Sequence, residues 1–302
     1  MRGIPTIDCM LGLNVPGMRA TLTAQQASRT ASVGQMVAEG WLRDADSTRY
    51  THPAQHFFKG SEERMASGNT LEELLALLDE VGIEQGLVDC DLDDPGPVLE
   101  IVEQHPDRFF ATVSVNPWLG MPEIRKLEAL VRNHPHVRAC TVTGFRIQRP
   151  YNDKIYWPLY AKCSELDLPV ICYVGLPGPR VPGDAQNPMH LDEVLWFFPE
   201  LKVVMRHGGE PWQFECVKLM LKWPHLYYST SAFAPKHYPQ DVMHFANTRG
   251  TGQVLYAGYW PGLHLRRIRD EIEQDLALRD HVWRPFLREN AIQVFKLDQP
   301  AR

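Results

Sequence analysis

No stretch of this chain is basic enough to follow a phosphate backbone or an anionic membrane surface. Its 31 Lys and Arg stand against 37 Asp and Glu, a net charge of −6 with no basic run, which argues against a nucleic-acid or membrane-surface partner. Long apolar runs are missing too: none approaches the roughly 20 residues of a membrane-spanning helix, and Met1-Arg-Gly-Ile-Pro-Thr-Ile-Asp8 lacks the apolar centre of a secretory signal. There is no Cys-x-x-Cys. The six cysteines, Cys9, Cys90, Cys140, Cys163, Cys172 and Cys216, are scattered and read as reduced, buried thiols of a cytoplasmic protein. No Gly-x-Gly-x-x-Gly follows the first strand, which weakens a dinucleotide-binding fold. No Gly-x-Ser-x-Gly is present either, which weakens a serine-nucleophile reading.

What remains is ordinary globular composition, 44% hydrophobic and 23% charged over 302 residues, expected to form one domain over 1–302 with a substantial core. Ile4 to Cys9 reads as a first strand. Residues 14–69 break the rhythm with frequent Gly, Ser, Thr, Arg and Pro, and so long a connection points to a lid or a subunit contact. From residue 70 strand and helix alternate. Thr70-Leu-Glu-Glu73 is a capping box, and Leu71, Leu74, Leu75 and Leu78 share one face, so the spacing predicts a helix over 70–81 ended by Gly82. Strands are predicted over 85–89, 109–115, 139–147, 169–174, 202–207, 226–230 and 253–257. Helices are predicted over 97–104, 122–133, 153–166, 191–198, 211–222 and 240–246, then over 263–276 and 282–295. Strands that are each followed by a helical segment define an α/β fold: a (β/α)8 TIM barrel with a long insertion after strand 1 and extra C-terminal helices.

The stretch Val203-Val-Met-Arg-His207-Gly-Gly-Glu-Pro211-Trp212 stands out. A β-branched and apolar run ends on His207, Gly208-Gly209 lets the backbone turn, and Pro211 suits the first turn of a helix. In parallel folds chemistry collects at strand C-terminal ends. His207 is therefore a candidate reaction centre, with a buried core histidine as the alternative.

Several motifs together carry a family resemblance: Thr6-Ile-Asp8, Leu71-Glu-Glu-Leu before Val81-Gly-Ile, His105-Pro-Asp-Arg-Phe109, Pro158-Leu-Tyr before Leu168-Pro-Val, His190-Leu-Asp-Glu-Val, Phe198-Pro-Glu-Leu, Val203 to Gly209, and Glu289-Asn-Ala-Ile-Gln-Val-Phe295. On these the chain resembles the amidohydrolase-related branch of the amidohydrolase superfamily, which includes aminocarboxymuconate semialdehyde decarboxylase and pyrone-dicarboxylate lactonase. The resemblance implies a divalent metal, most often zinc, held in the barrel mouth. Its ligands would be an Asp-x-His-x-His segment on strand one, histidines ending strands five and six, and an aspartate ending strand eight. Here Met10 and Gly12 stand at the strand-one histidine places, Tyr173 at the strand-five place, and Gly258-Tyr259 where Ser-Asp is usual; His207 alone remains. One histidine cannot hold a catalytic zinc, so no metal and no cofactor are expected.

With strand six in the family orientation, His207, Met205 and Val203 would face the mouth, and Arg206 would face the helices as an ion-pair partner. His207 is then the expected general acid/base, with Tyr173 and Tyr259 as carbonyl polarisers. Arg146 is the expected anchor for a substrate carboxylate, and an inter-strand salt bridge is its alternative. Asp89 would be a base or orient His207. Glu210 would face the mouth or serve the next helix dipole. Ser229, Thr230 and Ser231 supply hydroxyls at the end of strand seven, and Asp91, Asp93 and Asp94 read as a solvated loop capping the helix after Pro95. Trp212, Trp260 and His264, with Trp41, Tyr50, His52, His56, Phe57 and Phe58 of the insertion, suggest a pocket for a ring, or the core of a homodimer interface. The expected function is a metal-independent member of this family that hydrolyses a lactone or C–C bond in, or decarboxylates, a small carboxylated or cyclic carbonyl compound. The alternative is a non-catalytic barrel that binds a small molecule or a partner protein.

Overall fold

The computed structural model describes residues 1–13, 58, 60, 63–64, 68–178 and 181–297. The expectations for Trp41, Tyr50, His52, His56 and Phe57, and most of the 14–69 segment, lie outside the described residues.

Eight parallel strands follow one another around the sheet in chain order: β1 Thr6–Leu11, β2 Ile83–Asp91, β3 Phe109–Ser114, β4 Val137–Val142, β5 Val170–Tyr173, β6 Val203–Arg206, β7 Leu226–Ser229 and β8 Val254–Leu255. Backbone bonds bring the last strand back to the first: Cys9 N–H donates to Tyr256 O at 3.1 Å, Tyr259 N–H to Met10 O at 3.1 Å, and Gly12 N–H to Trp260 O at 2.8 Å. The ring is thus a nearly closed TIM barrel, as predicted. Covering helices are α1 Leu71–Val81, α2 Gly96–Gln104, α3 Met121–Asn133, the single turn α4 Gly144–Ile147, α5 Trp157–Glu165, α6 Leu191–Phe197, α7 Gln213–Lys222, α8 Gln240–Ala246 and α9 Leu265–Gln274. A last helical run comprises α10 Asp280–Arg284, a π-helical turn Pro285–Glu289 and α11 Asn290–Phe295.

Local chemistry sets the clearest boundaries. The Thr70 side chain accepts from Glu73 N–H, Glu73 answers at the Thr70 N–H, and Gly82 closes α1 at φ 79°; this is the predicted capping box. By contrast α2 starts at Pro95 without a side-chain cap. Asp91 instead accepts the Asp93 N–H at 2.9 Å and Asp93 pairs with Lys126 at 2.6 Å, so the acidic loop ties itself down rather than capping the helix. Two other boundaries depart from expectation. Strand four, predicted over 139–147, stops at Val142, because the chain at Gly144 turns to let Phe145 N–H donate to Gln186 Oε1 at 3.0 Å. A Cβ at Gly144 would stand 2.7 Å from the Tyr151 hydroxyl. Pro211 does not open a helix: it sits in a turn, its peptide bond to Glu210 is cis, and α7 begins only at Gln213.

The barrel bore is filled by Ile7, Leu87, Phe110, Ala139, Ile171, Val204, Tyr227 and Leu255, which alternate with residues buried under the helices. Ala291, Val294 and Phe295 of α11 join this cluster, and Phe110 and Phe295 lie 5.4 Å apart between ring centroids. The extra C-terminal helix therefore plugs the N-terminal end of the barrel, opposite the mouth formed by the C-terminal ends of the strands. All six cysteines are buried thiols, and no helix among the described residues is long and apolar enough to cross a membrane.

Candidate active site

β6 decides how the mouth is furnished. Val204 faces the bore and Val203 and Met205 pack under the helices, which sends Arg206 inward. The expected orientation was the reverse. Arg206 is 1% exposed; its Nη1 donates to Asp89 Oδ1 and Oδ2 at 3.1 and 3.2 Å, and its Nη2 to Cys9 O at 3.1 Å. β2 and β6 are four strands apart in a ring of eight, so the Arg206–Asp89 pair straps the bore across its width. The Tyr173 hydroxyl also lies against the guanidinium, and burial, which disfavours the charge, is outweighed by Asp89 and Tyr173, so the Arg206 pKa is raised. Asp89 shares no hydrogen bond with His207 among the described residues; it is the counter-ion of Arg206.

His207 still reaches the mouth because it leaves the strand. Its φ is 77°, and Gly208 and Gly209 follow at 82° and 75°, a left-handed turn that breaks the two-residue alternation on which the inward Met205 rested. Ala232 and Tyr259, just beyond β7 and β8, are likewise left-handed at 71° and 64°; such strain in non-glycine residues gathers at functional sites. Centroid distances to the His207 ring are 4.3 Å from Tyr173 and 5.4 Å from Tyr259, both edge to face. Phe58 lies 5.1 Å from Tyr259. Ser231 Oγ accepts the His207 backbone N–H at 3.1 Å and stands 3.1 Å from Nδ1. Burial, then the Arg206 charge, pushes the His207 pKa well below the usual histidine value, so the imidazole is neutral near pH 7. Burial raises Tyr173 and Tyr259 above the ordinary phenol, keeping both protonated as donors.

The other sequence candidates fall at the rim or outside the cluster. Arg146 is exposed on α4, 5.9 Å above the Phe145 ring, which is 6.4 Å from Tyr173, and its charge is felt at Tyr173. Glu210 is exposed and Trp212 half-buried; among the described residues neither shares a hydrogen bond or ring contact with His207, Tyr173, Tyr259 or Arg206. Trp260 is 7% exposed and edge-on to His264 at 6.1 Å, and it serves β1 through the Gly12–Trp260 bond.

Asp8 was visible as part of a motif, but its setting was not. It is fully buried; Oδ1 accepts the Gly258 N–H at 2.8 Å and the Met10 N–H at 2.9 Å, while Oδ2 has no partner. Burial raises its pKa to about 7 against the pull of those two N–H groups and of Arg206.

This donor set does not fit the family's divalent ion. Methionine, glycine and two protonated phenols offer no ligand set for such a cation, Asp8 Oδ1 is spent on backbone N–H groups, and a fixed guanidinium charge stands in the mouth. Among the described residues no group of three or more His, Cys, Asp or Glu could hold a metal.

A TIM barrel whose open end gathers strand-terminal polar groups is the architecture of many enzymes. Residues 68–297 match the amidohydrolase family profile, so the chain belongs to the amidohydrolase family. Many solved structures share the fold, and three illustrate it. A TIM-barrel protein of Bordetella bronchiseptica is 20% identical, with 97% of this chain and 98% of that one aligned at a TM-score of 0.70. The 5-carboxyvanillate decarboxylase of Novosphingobium aromaticivorans, with bound manganese and 3-methoxy-4-hydroxy-5-nitrobenzoic acid, is 16% identical over 98% of both chains at 0.67. The 2,6-dihydroxybenzoate decarboxylase of Rhizobium is 16% identical over 99% and 100% at 0.65. No curated protein matches the chain in sequence.

Proposed function

We propose that this chain is a metal-independent enzyme of the amidohydrolase family that decarboxylates, or hydrolyses at a lactone or C–C bond, a small carboxylated cyclic compound. The observation that carries the reading is the convergence of Tyr173, Arg206, His207 and Tyr259 at the C-terminal end of the barrel, with a guanidinium supplying the positive charge. His207 presents its imidazole to the reacting atoms, Tyr173 and Tyr259 donate to a developing oxyanion, and Arg206 favours negative charge between them. Arg146 at the rim takes the substrate carboxylate. Two structural neighbours are decarboxylases of aromatic acids, which supports a flat, carboxylated substrate among these rings. We further propose that the enzyme works as a cytoplasmic homodimer.

The test is a turnover screen of chelator-treated protein against benzoate-type, muconate-type and lactone acids, with and without added Mn2+ or Zn2+. Turnover that survives chelation and falls at least about 100-fold in His207→Ala is the expected result; turnover that requires the added ion would overturn metal independence. The neutralisation of the Arg206 charge by Asp89 favours a second reading, a binding barrel without catalysis. Equal ligand affinity of wild type and His207→Ala, with no turnover of any acid, would establish it.

A further inference from the structure

Ser231 is fully buried just beyond β7, and among the described residues its hydroxyl shares hydrogen bonds only with His207. Its oxygen already accepts the His207 backbone N–H at 3.1 Å. A serine hydroxyl has one hydrogen to give, and in a site closed to solvent a hydrogen left without an acceptor is unfavourable. Among the described residues Nδ1 of His207, also at 3.1 Å, is the acceptor in reach. Ser231 therefore receives from the backbone of His207 and donates to its ring.

That assignment fixes the ring. A neutral imidazole carries one N–H, and if Nδ1 accepts, the hydrogen is on Nε2. Nε2 has no hydrogen-bond partner among the described residues, and it is not one of the sealed unpartnered atoms of the mouth, as Asp8 Oδ2 and Arg206 Nε are. The ring that carries it stands edge to face with Tyr173 and Tyr259.

We propose that Ser231 is a positioning residue that holds His207 in the Nε2–H tautomer, so that the histidine enters the reaction as a hydrogen-bond donor to a substrate oxygen. The left-handed backbone at His207 and Ala232 brings the two residues together at adjacent strand ends. The same arrangement turns a metal-ligand position to other use: the one lone pair of the neutral ring is on Nδ1 and is engaged by Ser231, so the edge facing the mouth has a hydrogen where a metal ligand would need an electron pair. The donor role rests on the reading of the mouth as an active site; the tautomer does not.

Nitrogen-15 NMR of the full chain labelled at histidine tests the tautomer without any substrate, with the His207 signals assigned by their loss in His207→Gln. The expected spectrum has a protonated Nε2 and a hydrogen-bonded, unprotonated Nδ1. Ser231→Ala should mix the two tautomers, and Ser231→Thr should restore the wild-type pattern. An Nδ1–H in the wild type, or a tautomer unchanged in Ser231→Ala, overturns the proposal. If Ser231→Ala does not fold, Ser231→Cys replaces it: its weaker donor should mix the tautomers partly, and an unmixed Nε2–H there also counts against the proposal. Against an acid that turns over, kcat should fall about 10- to 100-fold in Ser231→Ala with little change in KM, and recover in Ser231→Thr. A fixed tautomer in a protein that turns nothing over would refute the enzyme reading alone.

Discussion

Arg206 and Asp89 share one ion pair unequally: the guanidinium side chain is 1% exposed and the carboxylate side chain 32%. Removing the partner of a buried charge strands it, whereas a carboxylate at an open mouth can recover water. Asp89→Leu should therefore cost about 3–5 kcal/mol, more than Arg206→Met, and the paired Asp89→Leu/Arg206→Met change should come closer to wild type than either single change. Urea unfolding of the four proteins measures the ranking, and a costlier Arg206→Met would mean that Asp89 is not what stabilises the guanidinium. Arg206 also marks where the sequence could not be read. Counting alternately back from His207 put Met205 in the mouth, which holds only while every residue is extended. His207 itself, at φ 77°, breaks the count. Around that turn stand neighbours distant in sequence, Ser231 beside its backbone and Tyr173 and Tyr259 around its ring. The convergence of those rings was legible because family positions locate strand ends, and strand ends survive errors of facing.

Among elements, the features readable from sequence were those with causes close at hand. Thr70 and Glu73 cap α1 within four residues, and Gly82 closes it. α4 was missed because its cause is Gln186, more than forty residues on, accepting the Phe145 N–H; nothing within 139–147 announces it. The turn after β6 lies between these cases. Its Gly-Gly signalled a turn, but the geometry depends on Phe233, whose ring would lie 2.1 Å from a Cβ at Gly208. Gly208 also has φ 82°. Gly208→Ala should thus destabilise by about 1–3 kcal/mol, since the left-handed backbone and the crowding both oppose it. It should also shift the His207 ring, whereas Gly252→Ala, where a Cβ meets nothing within 4 Å, should leave both unchanged. Thermal unfolding together with the His207 NMR signals reads both effects; a Gly208→Ala protein as stable as wild type would mean that Phe233 yields freely.

For the molecule as a whole, two buried groups pull stability in opposite directions with pH. Asp8 has its pKa raised from 3.8 to about 7, chiefly by burial. A carboxyl harder to ionise in the fold than in the open chain contributes stability that is complete below about pH 4, declines as pH rises, and is lost once the pH passes about 7. At 1.36 kcal/mol per unit, the loss is about 4 kcal/mol. His207 is depressed below 6.5, so its contribution is present above the ordinary histidine value and lost as pH falls through the lower folded one. The two slopes offset each other in mildly acidic solution, and a pH scan of wild type alone does not separate them. Asp8→Asn does. Its amide oxygen can keep the Gly258 and Met10 N–H bonds, and its new N–H faces the space shared by the Asp8 Oδ2 and the Tyr256 hydroxyl, both now unpartnered. Relative to wild type the variant should gain stability steadily between pH 4 and 7 in urea unfolding and hold that gain above 7, leaving the histidine slope exposed on its own. A difference between the two proteins that is constant with pH would show that Asp8 ionises as readily in the fold as in the open chain, and that the unpartnered oxygen behind the mouth is solvated.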